Sequence, residues 1–139
     1  MWRWRWWWRG WSSSLPSYLL RVRVRFEAAH HLTSYRGAPE PSHGHSWQVE
    51  AALAADGLDA EGMGFDFVAV KGVLGELAAR FDHRDVNTVP PFDALSPTAE
   101  RLAAWFHDRL AERLASPGGA RLVEVTVWEG ADASATYRP

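Results

Sequence analysis

His43 and His45 stand two residues apart in Ser42-His43-Gly44-His45-Ser46-Trp47, where an alternating apolar run begins. Side chains two apart on a strand project from one face, so this spacing can turn two imidazoles toward a single metal ion. Gly44 adds no bulk between them. A third ligand is needed, and His30 is the candidate: it ends an earlier alternating run that an antiparallel neighbour could bring alongside. Three neutral imidazoles with one open position make a catalytic type of zinc site, whereas structural sites are usually closed and rich in cysteine. The same spacing also suits a plain polar strand face, and the pair alone does not decide between the two.

Composition narrows the setting of this chemistry. With 139 residues, 47% of them hydrophobic, the chain is long enough for one domain with a real core. The absence of cysteine excludes disulfides, thiolate ligands and a cysteine nucleophile, and fits a cytoplasmic location. A formal net charge of -2 gives no electrostatic reason to expect a nucleic acid partner. Residues 1–17 differ from the rest, holding six of the nine tryptophans with Arg3, Arg5 and Arg9 interleaved. Those arginines interrupt any signal-peptide core, and the stretch is too short to span a bilayer. It is expected to be a poorly ordered extension, leaving residues 18–139 as a single domain with no membrane partner.

The elements that must position the histidines are legible from periodicity. Leu19 to Ala28 sets Val22, Val24 and Phe26 against Arg21, Arg23 and Arg25, the alternation of a half-buried strand. Thr33 to Ser42, with Gly37, Pro39 and Pro41, reads as a loop carrying His30 and His43 at its ends. His45 to Ala55 resumes strand character, with Trp47, Val49, Ala51 and Leu53 on one face. After Asp66 as N-cap, Phe67, Val70, Leu74, Leu77 and Phe81 recur at helical spacing, weakened by Gly72 and Gly75. Ser96-Pro97-Thr98 predicts a second helix with a hydroxyl cap and proline at its first position, carrying Leu102, Trp105, Phe106, Leu110 and Leu114 until Pro117-Gly118-Gly119 stops it. Arg121 to Glu129 and Ala133 to Tyr137 read as two closing strands. The expected fold is α+β, in the order β-β-α-α-β-β, with two helices on one face of a four-stranded antiparallel sheet.

The ordered landmarks Phe26-Glu27-Ala28-Ala29-His30, His43-Gly44-His45-Ser46, Gly62-Met63 with Asp66-Phe67, Asp82-His83 with Asn87, Pro97-Thr98-Ala99-Glu100, and Glu129 with Tyr137-Arg138 resemble the 6-pyruvoyl-tetrahydropterin synthase family. That family includes the 6-carboxytetrahydropterin synthases of queuosine biosynthesis, and the resemblance runs from about Leu19 to Arg138. It implies a tunnelling fold assembled into an oligomeric barrel, a homohexamer built as a dimer of trimers, with a pterin substrate in a site shared between subunits. It implies zinc on His30, His43 and His45, and a pterin ring anchored by Glu129 with Thr98 and Glu100 nearby. Asp82 and His83 resemble the family's catalytic pair, in which the aspartate orients a proton-shuttling imidazole. His31 and His107 match no family role and are expected to be surface or packing residues.

The chain departs from the pattern at the base. The pyruvoyl and carboxy enzymes place a cysteine in the loop before His-Gly-His; here that loop offers Pro39 and Glu40. Glu40-x-x-His-Gly-His resembles a third branch, in which glutamate replaces cysteine and the enzyme supplies folate synthesis. Glutamate is the weaker base by about four pKa units, which disfavours abstraction of a carbon-bound proton. A hydroxyl proton made acidic by a metal ion is within its reach. The expected activity is cleavage of the side chain of 7,8-dihydroneopterin triphosphate, or of dihydroneopterin, to 6-hydroxymethyl-7,8-dihydropterin. Two alternatives stand beside it: 6-carboxy-5,6,7,8-tetrahydropterin synthesis, and a pterin- or zinc-binding protein without turnover.

Overall fold

The computed structural model describes residues 18–114 and 120–139. The Trp/Arg-rich segment 1–17 and the Pro117-Gly118-Gly119 stop lie outside the described residues. Strand β1 (Tyr18–His30) and strand β2 (His43–Ala55) form a long antiparallel hairpin, Tyr18 facing Ala55 at one end and His30 facing His43 at the other. Helix α1 (Phe67–Ala78) follows, then a two-residue strand β3 (Arg84–Asp85), helix α2 (Ala99–Arg113), and strands β4 (Arg121–Glu129) and β5 (Ala133–Tyr137). The sheet order is β3-β1-β2-β4-β5, with β3 parallel to β1 and every other pairing antiparallel.

The sheet therefore has five strands rather than the expected four. Two residues are too short to show any alternation, so β3 carries no periodic signal; it exists because the turn after α1 lays Arg84 and Asp85 against Ala28 and Ala29. The helix boundaries also shift. Phe81 is fully buried but lies in the turn beyond α1, and Phe67, expected on the inward stripe, is 55% exposed at the first helical position. Helix α2 is capped by Thr98, whose hydroxyl accepts from the Arg101 N–H, and not by Ser96. Pro97 thus precedes the cap.

Both helices pack on one sheet face. Alternation puts Val22, Phe26 and Ala28 of β1 there with Trp47, Val49, Ala51 and Leu53 of β2 and Val125 and Val127 of β4. Val70, Leu74 and Leu77 of α1 and Leu102, Phe106 and Leu110 of α2 close the core. Phe26 stacks on Trp47 with ring centroids 5.9 Å apart, and Phe81 meets Trp105 edge-on at 5.0 Å. His107 packs edge-on against Tyr137 at 5.3 Å, the packing role expected of it.

The opposite face is polar and internally compensated. Glu50 accepts from Arg21 at 3.0 Å and from both Nε and Nη2 of Arg23, while Arg23 Nη1 reaches Gln48. Burial disfavours the Glu50 carboxylate, yet the hydrogen bonds from Arg23 and Arg21 outweigh it and hold the group below its ordinary range. Arg138 pairs with Glu124 in the same way. No helix among the described residues is long and apolar enough to cross a membrane.

Candidate active site and metal centre

The paired ends of β1 and β2 bring the three histidines together on the helix-facing side of the sheet. His30 faces His43, and His45 faces Ala28, so all three imidazoles rise from the same pleat as Trp47. Trp47 is fully buried, donates its indole N–H to the Ala28 carbonyl at 3.1 Å, and lies edge-on to His30 and His45. This wall fixes the depth at which the imidazoles sit.

Two backbone carbonyls fix their orientation. Nδ1 of His30 lies 2.9 Å from the Pro97 carbonyl, and Nδ1 of His43 lies 2.9 Å from the Pro41 carbonyl. A carbonyl only accepts, so each Nδ1 carries a proton, and in the neutral ring each Nε2 presents its lone pair. Those two Nε2 atoms face one another at 3.1 Å. Two lone pairs at that separation repel unless a cation lies between them. Nε2 of His45 is buried without an aligned hydrogen-bond partner; Glu129 Oε1 is 2.8 Å away but outside hydrogen-bond alignment. Burial pushes the His45 pKa below its ordinary 6.5; the Glu129 carboxylate opposes this, and the neighbouring His30 and His43 add to it. The donor set thus fits a divalent cation: three imidazoles converge on one point, and those of His30 and His43 are oriented by carbonyls on their far nitrogens. Ligand atoms of His30, His43, His45 and Glu129 all lie within 4.8 Å of one another.

Glu129 reaches this cluster by the β2–β4 register, which sets it beside Trp47. Its Oε1 is 3.4 Å from His30 Nε2 and 4.0 Å from His43 Nε2. Glu40 approaches from the loop. Arg36 and Gly37 both take positive φ, turning the chain back so that Tyr35 and Ala38 exchange hydrogen bonds, and the Glu40 N–H then donates to the Leu32 carbonyl. Glu40 Oε1 accepts from the Leu32 N–H at 2.8 Å and stands 3.9 Å from His43 Nε2. The loop therefore delivers a fixed carboxylate to the rim of the cluster.

Asp82 and His83 are not part of this group within one chain. They lie in the turn before β3, the edge strand, where Asp82 Oδ1 accepts from the Glu27 N–H and the His83 N–H donates to the Glu27 carbonyl. His83 Nδ1 is 3.1 Å from Asp82 Oδ2, and the imidazole is 79% exposed. His83 adopts φ +56°, a left-handed conformation that costs a non-glycine residue free energy and is retained here by both Glu27 contacts. The Glu27 N–H, and then His83, hold the Asp82 carboxyl below its usual range.

Thr98 is occupied as the α2 cap, and Glu100 is exposed in the first helical turn. The same segment reaches the cluster through the Pro97 carbonyl. Sequence reasoning missed the roles of the Pro97 and Pro41 carbonyls, which no side-chain pattern could reveal. It also missed that of Asn87, whose side chain accepts from the His31 N–H at 2.9 Å and donates to the His31 carbonyl at 3.0 Å, clamping the residue after His30.

Comparison with known proteins places this geometry. Residues 19–139 match the family model for 6-pyruvoyl tetrahydropterin synthase. A dihydroneopterin monophosphate aldolase of Pyrococcus furiosus is 31% identical over 108 residues, covering 78% of this chain and 86% of the relative. A 6-carboxy-5,6,7,8-tetrahydropterin synthase of Aquifex aeolicus is 33% identical over 152 residues, covering 82% and 93%. The fold matches the structure of Caenorhabditis elegans 6-pyruvoyl tetrahydropterin synthase with a TM-score of 0.76 at 22% identity, over 90% of this chain and 97% of that one. With a match spanning both helices and every strand from Leu19 onward, this chain belongs to the 6-pyruvoyl tetrahydropterin synthase family and is a pterin-processing enzyme of the lyase type.

Proposed function

We propose that the protein is a zinc-dependent lyase that cleaves the side chain of 7,8-dihydroneopterin triphosphate, or of a less phosphorylated dihydroneopterin, to 6-hydroxymethyl-7,8-dihydropterin for folate synthesis. The observation that carries this reading is the Glu40 carboxylate, held at the rim of the histidine cluster by the Leu32 N–H in a chain without cysteine. The aldolase name of the Pyrococcus furiosus relative supports it. Zinc on Nε2 of His30, His43 and His45 would act as a Lewis acid, lowering the pKa of substrate hydroxyls. Glu40 removes the proton from the hydroxyl on the second side-chain carbon. The bond between the first and second side-chain carbons breaks, the second becoming an aldehyde. His83, oriented by Asp82, returns a proton to the first carbon, which stays on the ring as hydroxymethyl. Glu129 accepts from the amino and ring N–H groups of the pterin.

Because Asp82 and His83 share no hydrogen bond or ion pair with the histidine cluster of their own chain, the reading takes them from a neighbouring copy in a homohexamer, a dimer of trimers. Exposed Tyr18, Leu19, Leu58, Met63, Phe67 and Val68 supply apolar surface for such an assembly. The second reading, 6-carboxy-5,6,7,8-tetrahydropterin synthesis, draws on the Aquifex aeolicus relative and on a further synthase of that name from Synechocystis, 35% identical over 113 residues.

Product chromatography after incubation with dihydroneopterin triphosphate, its monophosphate and dihydroneopterin separates the readings. The expected product is 6-hydroxymethyl-7,8-dihydropterin, and Glu40→Gln should retain zinc while losing roughly 10²–10⁴-fold in rate, the usual worth of general-base catalysis. A carboxytetrahydropterin product would establish the second reading. An unchanged rate in Glu40→Gln would place the base elsewhere.

A further inference from the structure

The cluster holds two carboxylates, and they are not equivalent. A tetrahedral site with metal–nitrogen and metal–oxygen bonds of about 2.0–2.2 Å has edges of roughly 3.3–3.6 Å between ligand atoms. Four of the six separations among the imidazoles and Glu129 bracket that edge, 3.1 Å from His30 to His43 and 2.8, 3.4 and 4.0 Å from Glu129 Oε1 to His45, His30 and His43, and all six lie within 4.8 Å. Glu129 Oε1 thus stands where a fourth ligand belongs. Glu40 approaches only His43 within 4 Å, and its near oxygen is already engaged by the Leu32 N–H. It lies outside the tetrahedron.

The two carboxylates also differ in how they are held. Among the described residues, no backbone N–H or hydroxyl donates to Glu129, whose side chain is 31% exposed. It ends β4, and the next residue, Gly130, turns the chain away at φ +73°. A carboxylate retained only by the imidazole cluster, at the end of a strand, can exchange that cluster for another set of donors.

We propose that Glu129 alternates between two partners. In the resting enzyme it closes the metal site as the fourth ligand; when substrate enters, the N–H groups of the pterin ring draw it off and leave the metal position open for the side-chain hydroxyls. This rests on the zinc reading above. It gives the free enzyme a closed, four-ligand site and makes opening of that site conditional on recognition of the ring.

Cobalt(II) replacing zinc reports ligand exchange in its visible absorption, independently of turnover. The probes are cobalt(II) itself and 7,8-dihydropterin, which has the ring but no side-chain hydroxyl to offer the metal. In the wild-type protein, dihydropterin should change the cobalt spectrum. Glu129→Gln should bind cobalt and zinc more weakly by at least about tenfold, have a different resting spectrum, and show no response to dihydropterin; Glu129→Asp should restore part of the affinity. Equal spectra and equal affinities in wild type and Glu129→Gln would overturn the proposal while leaving the three-histidine site standing. If Glu129→Gln does not fold, the wild-type response decides alone, and a spectrum indifferent to dihydropterin overturns the exchange. A wild-type protein that takes up neither cobalt nor zinc would defeat the zinc reading itself.

Discussion

Asn87 supports the histidine cluster without touching it, and its replacement tests how the fold holds His30 in place. Its side chain satisfies both backbone groups of His31, accepting the N–H at 2.9 Å and donating to the carbonyl at 3.0 Å. It thereby secures the outer edge of β1 two residues beyond its last pairing with β3, next to His30. Each such bond contributes a net of about 1 kcal/mol, so Asn87→Ala should cost about 2 kcal/mol. For a domain of this size that lowers the melting temperature by roughly 6–12 °C. If the clamp also fixes the His30 imidazole, zinc affinity should fall by about 10–100-fold, the usual effect of removing a ligand's support. Asn87→Asp keeps an acceptor for the His31 N–H but sets a carboxylate oxygen against the His31 carbonyl, so it should not rescue. The assays are urea unfolding of the metal-free protein and zinc competition against a chelating dye. Unchanged zinc affinity beside a full loss of stability would show that Asn87 secures only the strand end. No change in either would refute the reasoning.

Two further outcomes follow from the same structure. The Asp82 carboxyl is held below its ordinary 3.8 by the Glu27 N–H first and His83 second, so its contribution to stability is complete above that value and disappears as pH falls through the lowered one. Acid unfolding should therefore be shallower below about pH 4 in Asp82→Asn than in wild type, and identical profiles would contradict this. Gly72 lies exposed inside α1, and a Cβ there would meet no atom within 4 Å. Gly72→Ala should stabilise the protein by about 1 kcal/mol in denaturant melts, with activity unchanged.

Local pattern was sufficient for the elements whose signal is periodic and for bringing together the histidines that such elements carry. Alternation in β1 and β2 put His43 and His45 on one face and offered His30 as their partner, because strand geometry repeats every two residues whatever the rest of the chain does. The antiparallel hairpin then set His30 opposite His43. The landmarks extended this to family membership, and without a cysteine the loop before His43 offers Glu40 as its acid–base group. What depended on distant pairing was not legible. Glu129, a pterin anchor by resemblance, stands among imidazoles more than 80 residues away because β4 pairs with β2 in the register that sets it beside Trp47, and an alternating run does not specify its neighbour's register. The Pro97 and Pro41 carbonyls that orient His30 and His43 are backbone atoms, identical in every residue and therefore silent in sequence. Strand β3 is too short for a period, and the side of the sheet on which Asp82 and His83 lie follows from its place at the edge of β1. Periodicity assigns a side chain to a face; only the folded sheet decides which faces, edges and carbonyls meet.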